Sequence, residues 1–274
     1  RIIFGGDIAA GPFPRQTVDL VRSLDAVSIR GNVDWRRGGD WGAHDWVWDQ
    51  LGPEASDWLA ALPTHLVLGF VFFCHATPRS DIEIVTPATT SDELARILDG
   101  VEEELVVAGH THMQQDRLVD RWRFVNPGSV GRPYEDAPGA YWAIVGDVVE
   151  LRRTDYDLAA AAAATRASGH PLADALAEEN VLRVPSREDG IAAFGKMTVW
   201  VQVGRVGRPH GLDGSFVVEN SSEDPRRFAV DATLWVDGVE ARVVAKKRAR
   251  GRPVIALDRD VPRGTALEVP ATDL

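Results

Sequence analysis

At 274 residues the chain is too long for one ordinary core and about right for two. Apolar residues at 45% with 26% charged exclude a disordered chain, and a single cysteine, Cys74, excludes both a disulfide framework and a cysteine-rich zinc site. The net charge of −11 falls on residues 1–196, at −12 against +1 for residues 197–274, an acidic balance that argues against a nonspecific nucleic-acid binder.

The longest strongly apolar run, LVLGFVFFC, falls well short of the roughly 20 residues a membrane span needs, and no signal-peptide pattern opens the chain. A cytoplasmic protein with no membrane partner is expected. Cys74, inside FVFFCHA, reads as a small buried hydrophobe.

In chain order, the segments RIIF, AVSIR, HLVLGFVFF, ELVVAG and RWRFV are short apolar or β-branched runs that predict strands. Between them RQTVDLVRSL and SDELARILDG have the apolar spacing of helices, so residues 1 to about 155 predict an α/β fold. AYWAIVGDVVELRRTDYD predicts one or two closing strands. The alanine-rich LAAAAAATRASG predicts a helix stopped by Gly169, and PLADALAEEN a second one. The mixed, polar VPSREDGIAAFGK reads as a linker, placing a first domain at residues 1–190, the linker at 191–196 and a second domain at 197–274.

A polar cluster follows each strand: GGD at Asp7, GNVD at Asn32 and Asp34, CHATPRSD at His75, GHTH at His110 and His112, and NPGSVGRP at Asn126 and Arg132. Singly, each has a plain explanation: Asp7 as a turn residue or helix cap, Asn32 as a turn residue, a histidine as an ordinary surface or core residue. In open α/β sheets, however, ligands gather outside the carboxyl ends of the strands, so the clusters should converge. Together they supply an Asp, an Asn and three His, the donor types that suit Mn, Fe, Zn or Ni. His44, His65 and His170 lack such a setting.

The ordered set GGD, GN, CHATP, GHTH and NPGS resembles the calcineurin-like metallophosphoesterases, in particular their small prokaryotic phosphodiesterase branch. The resemblance implies a metallophosphoesterase α/β sandwich and hydrolysis of a phosphoester by two divalent transition metals, with Mn first and Fe, Ni or Zn as alternatives. It implies Asp7 as the bridging ligand, Asn32, His75 and His110 as completing one metal site, and His112 as part of the other. Two cations about 3.5–4 Å apart would orient the phosphate for in-line attack and neutralise its charge. The family pattern opens with a strand ending in Asp-x-His, whereas this chain starts at Arg1 one strand before GGD, so an upstream segment is expected. Where many members have His after GN there is Val33 and then Asp34, so the histidine general acid is missing and good leaving groups such as aryl phosphates are favoured, with Asp34 counted among the catalytic residues beside Asp7, Asn32, His75 and Arg132. Arg132 is expected to hold the substrate phosphate, in a pocket shaped also by Trp35 and Trp41.

After residue 196 helical periodicity gives way to strands punctuated by Gly and Asp-Gly turns, the pattern of a small β-barrel. His210 reads as a turn residue and KKRARGR, residues 246–252, as a solvated hairpin tip. VGRVGRPHGLDGSFVV, SSEDPRRF and LWV resemble the N-terminal barrel of the ribosome maturation factor RimM. This implies contact with a protein of the small ribosomal subunit head and no chemistry of its own. Met197 stands where a free-standing member of that family would begin, which leaves open a genuine fusion, two joined reading frames, or a fragment of a longer open frame. Two functions follow: a metal-dependent phosphoesterase carrying a ribosome-maturation binding module, or a non-enzymatic maturation factor carrying an inactive phosphoesterase remnant.

Overall fold

The computed structural model describes residues 1–35, 44–195, 200–211, 213–222, 224–236, 239–249 and 251–270. The chain divides into two compact units, Arg1–Met197 and Thr198–Leu274. Among the described residues no helix is long and apolar enough to cross a membrane.

The first unit opens with β1 (Ile2–Phe4), α1 (Pro14–Ser23) and β2 (Ala26–Ser28), with β1 and β2 paired in parallel. Next come α2 (His44–Ala60), the antiparallel hairpin β3 (His65–Leu68) and β4 (Val71–Cys74), α3 (Ser91–Leu98) and β5 (Leu105–Ala108). β6 (Gln115–Val119) and β7 (Trp122–Asn126) complete a five-stranded sheet of order β3-β4-β5-β7-β6. β8 (Ala140–Val145) and β9 (Val149–Thr154) form a separate antiparallel pair. Both faces of the five-stranded sheet are covered. Phe72, Cys74, Val106 and Phe124 pack under Leu94, Ile97 and Leu98 of α3, while Val71, Phe73, Val107 and Val125 face Ile3, Val145 and Leu151. This two-sided burial explains the unbroken apolar runs of β4 and β5.

The helix α2 is absent from the helices expected above. Gly52, at φ 69°, and Pro53 interrupt its middle, yet Val47 and Leu51 of one half and Ala55 and Leu59 of the other join one apolar cluster. The alanine-rich segment forms α4 (Leu158–Ala167), capped by Asp157, and Gly169 ends it at φ 80°. α5 (Ala173–Leu176) continues into a π-helical turn through Leu182.

The segment expected to be a linker departs from the reading. Residues 187–194 form α6 (Arg187–Phe194), begun by a capping box in which Ser186 and Asp189 satisfy each other's backbone N–H. The polar SRED stretch is thus a helix start, and of residues 191–196 only Lys196 lies outside the described residues.

The second unit is a closed six-stranded barrel of order β10-β11-β14-β13-β12-β15. Its strands are β10 (Trp200–Pro209), β11 (Phe216–Glu219), β12 (Thr233–Val236), β13 (Val239–Ala249), β14 (Arg252–Leu257) and β15 (Ala266–Pro270). Val203, Val218, Phe228, Leu234, Val243, Ile255 and Leu267 fill its core. The glycine spacing of the motif has a steric cause: a Cβ on Gly204 would lie 2.5 Å from Val218 Cγ1. His210 lies in a turn, its backbone N–H donating to the Ser215 carbonyl at 2.7 Å. The basic run spans the end of the β13–β14 hairpin, as expected: Lys246–Ala249 end β13, and Ala249 pairs with Arg252 at the start of β14. There Lys247 pairs with Asp213 at 2.6 Å and Lys246 donates to the Pro225 carbonyl at 2.8 Å.

Candidate metal centre

Register brings the site together. β4, β5 and β7 run parallel with Cys74 opposite Ala108, so His75 and the GHTH loop leave the sheet at one level, joined where Gly109 N donates to the His75 carbonyl at 2.7 Å. Asn126, fully buried at the end of β7, donates from Nδ2 to the Gly109 carbonyl at 2.7 Å and to Thr111 Oγ1 at 3.2 Å. The Asn of NPGS therefore fixes the loop that carries His110 and His112.

Three of the expected ligands have left-handed backbone: Asp7 at φ 56°, His110 at 67° and His112 at 59°. Residues other than Gly, Asn and Asp rarely adopt this conformation, which costs about 1–2 kcal/mol. The loops also approach more closely than side chains permit. A Cβ on Gly31 would lie 2.1 Å from Asp7 Oδ1, and one on Gly6 2.6 Å from His75 Nδ1. The glycines of GGD and GN are what allow Asp7 and Asn32 to stand beside His75.

His75 is the centre of the cluster. Its Nδ1 donates to the Gly5 carbonyl at 2.7 Å, which turns Nε2 toward Asn32 Oδ1 at 3.1 Å, His110 Nδ1 at 3.2 Å and Asp7 Oδ2 at 3.3 Å. Such a set of mutually facing lone pairs is stable only with a proton on Nε2 or a cation among them. Asp7, His75 and His110 offer ligand atoms that all lie within 4.8 Å of one another; His112 is outside that group. The donor set, one carboxylate, one amide oxygen and two imidazoles, fits a divalent transition metal.

The electrostatics match. Burial opposes charge on His75, but the Asp7 carboxylate, with the Gly5 carbonyl and Asp34, outweighs it and raises the ring's pKa to about 9. Burial, then the charge on His75, lower His110 to about 3. Burial lowers His112 to about 4, against the pull of Asp7 and with the aid of Arg132. For Asp7 burial works upward, yet His75 and His110 hold its carboxyl well below the usual carboxylate range.

Asp34 differs from expectation. It is buried, and both its oxygens are taken by backbone: Oδ2 accepts from Asp7 N and Gly31 N at 2.8 Å each, and Oδ1 from Ile8 N at 2.9 Å. It ties the Asp7 loop to the Asn32 loop through these three backbone bonds. Burial and the charge of Asp7 push its carboxyl upward. Arg132 is exposed, its backbone N–H donating to Ser129 Oγ at 3.0 Å, and its charge reaches His112. Trp35 donates from Nε1 to Asp81 Oδ2 at 2.9 Å; Trp41 lies outside the described residues. His65 stacks on Phe72 and His170 meets Trp46 edge-on, both away from the cluster.

Sequence reading missed the contribution of α6. Arg187 donates to Glu135 Oε2 at 2.8 Å and to the Gln114 carbonyl at 2.9 Å, and buried Glu135 also accepts from Gln114 N. The Phe194 ring lies 5.5 Å from that of Tyr134 and 6.4 Å from that of His110, and Tyr134 lies 5.9 Å from His112.

The family model for the calcineurin-like phosphoesterase superfamily domain matches residues 1–148, more than half of the chain. The chain belongs to the calcineurin-like phosphoesterase superfamily. A model for the RimM N-terminal domain matches residues 201–257, so this phosphoesterase domain is joined to a RimM-like one. The chain is 43% identical over 75 residues to the ribosome maturation factor RimM of Cutibacterium acnes, a match covering 26% of this chain and 42% of that protein. Among solved structures, a metallophosphoesterase from Sphaerobacter thermophilus is 28% identical with a TM-score of 0.54, covering 64% of this chain and 86% of that one. A hypothetical protein from Pyrococcus horikoshii OT3, 20% identical with a TM-score of 0.57, covers 64% of this chain and 82% of its own and shares the fold.

Proposed function

We propose that the first unit is a metal-dependent phosphoesterase, acting on phosphodiesters, and that the second directs it to the small ribosomal subunit through a protein of its head. The observation that carries the reading is the convergence of Asp7, Asn32 and His110 on His75 Nε2, within 3.1–3.3 Å. These four residues hold one divalent ion, Mn as first choice, and Asp7 with His112 serves a second. When bound, the ions supply Lewis-acid activation of water and neutralise charge on the phosphate. In hydrolysis a water oxygen bonds to phosphorus, the ester P–O bond breaks, and the departing oxygen takes its proton from solvent. Arg132, at the rim, donates to phosphate oxygens. Asp34 is a positioning residue that holds the two metal-bearing loops together. The RimM-like match supports the ribosomal reading of the barrel.

Metal analysis after gel filtration, beside turnover of a bis-aryl phosphodiester with added Mn²⁺, tests the assignment. About one tightly held ion per chain is expected, abolished by His110→Ala and nearly untouched by His112→Ala, because only the first removes a donor from the tight cluster. Two equivalent tight ions, or equal losses from both substitutions, overturn it.

A further inference from the structure

An aromatic pair stands beside the metal centre, and Tyr134 N donates to the His112 carbonyl at 3.1 Å. Tyr134 comes from the loop after NPGS and Phe194 from the last turn of α6, beyond the residues the phosphoesterase model matches. Their rings meet edge to face at 5.5 Å, tilt over His112 and His110 at 5.9 and 6.4 Å, and are only partly buried. The wall is held from behind. Arg187 locks α6 to Glu135 and Gln114, and Gly190 lets the helix approach until a Cβ there would lie 3.0 Å from the Tyr134 ring. Exposed Arg132 lies two residues before Tyr134. A cationic donor for phosphate thus lies against His112, and an aromatic face stands over His112 and His110.

We propose that the Tyr134–Phe194 wall binds an aromatic ring on the substrate, so that the site selects phosphoesters bearing an aryl or nucleobase-like group over alkyl ones. The proposal rests on the phosphoester chemistry proposed for this site. An offset or edge-on ring contact strengthens binding by a few-fold up to about tenfold beyond apolar burial alone. The preference is for the ring itself, separate from any benefit of an acidic leaving group.

Phosphonates separate the two, because their P–C bond is not hydrolysed. Isothermal titration of the Mn²⁺-loaded full chain with phenylphosphonate and methylphosphonate should show the phenyl compound binding about tenfold more tightly. Phe194→Ala and Tyr134→Ala should bring the ratio of dissociation constants close to unity, and Phe194→Trp should keep it, with thermal melts confirming that each variant folds. A wild-type ratio near unity, or a ratio unmoved in both folded alanine variants, overturns the wall while leaving phosphoester hydrolysis standing. Failure to bind either phosphonate, together with no turnover of the bis-aryl diester, overturns the phosphoesterase reading and the wall with it.

Discussion

At Asp7, His110 and His112 the backbone takes a left-handed conformation that most side chains avoid, histidine more than aspartate, so strain and ligand position come together. This predicts an unusual order of stability. At φ 59°, His112→Gly should be more stable than His112→Ala by about 1 kcal/mol, because glycine carries no left-handed penalty, and urea unfolding of the metal-free proteins measures it. Alanine matching or exceeding glycine would mean the backbone relaxes there. Gly31 makes the opposite case. Its Cβ would collide with Asp7 Oδ1 at 2.1 Å and Asp7 N at 2.4 Å, and backbone offers no flexible end to move aside. Gly31→Ala should therefore cost about 1–3 kcal/mol and lose the tight ion, since Asp7 must leave His75 for the methyl to fit. Retention of the ion by Gly31→Ala would show that the loop yields elsewhere.

Among the side-chain hydrogen bonds of the described residues, the one that spans the most sequence comes from α6, where Arg187 reaches the Gln114 carbonyl 73 residues away. Its guanidinium bridges two acceptors on different groups, a carboxylate oxygen and a carbonyl, a geometry lysine does not reproduce. Arg187→Ala should speed hydrogen exchange in α6 and the Gln114 loop, and Arg187→Lys should restore little of the protection; full rescue by lysine would reduce the contact to simple charge pairing with Glu135. Such contacts explain what the sequence could and could not reveal. The strand-end clusters were legible because β4, β5 and β7 are parallel and end in register, so residues one or two places past an apolar run fall side by side. His75 and His110 follow from that register, and Asp7 and Asn32 from the separate parallel pair β1 and β2. Asp34 was read as chemistry because its side-chain type is ambiguous; only the three backbone donors around it reveal an anchor. A polar SRED stretch looked like a linker because a capping box and a loop use the same residues. The Gly52-Pro53 pair hides α2, because glycine followed by proline inside a run reads as the end of an element.

On the scale of the whole chain, each unit carries its own core. Leu94, Val106 and Phe124 belong to one cluster of the first unit, and Phe228, Leu234 and Ile255 to the barrel's. The proposed metal donors all come from the first unit, on loops that leave the ends of β1, β2, β4 and β5. The left-handed backbone of Asp7 and His110 and the facing lone pairs oppose the metal-free state. An ion held there favours the native state over the unfolded chain, by about 2.7 kcal/mol at a free concentration a hundred times the dissociation constant. For a unit of this size that corresponds to roughly 5–10 °C in unfolding temperature. Removing the ion with a chelator should therefore destabilise the sheet of the first unit and leave the barrel as it was. Hydrogen exchange followed by mass spectrometry can read the two separately, with peptides from β4, β5 and β7 reporting on one and peptides from β13 and β14 on the other. Chelation should accelerate exchange only in the first set, and added Mn²⁺ should restore it. Equal acceleration in both sets would mean that the units unfold as one cooperative body, which would defeat the modular reading. No change in either would mean that the cluster around His75 Nε2 is held by a proton, and the metal assignment would fall.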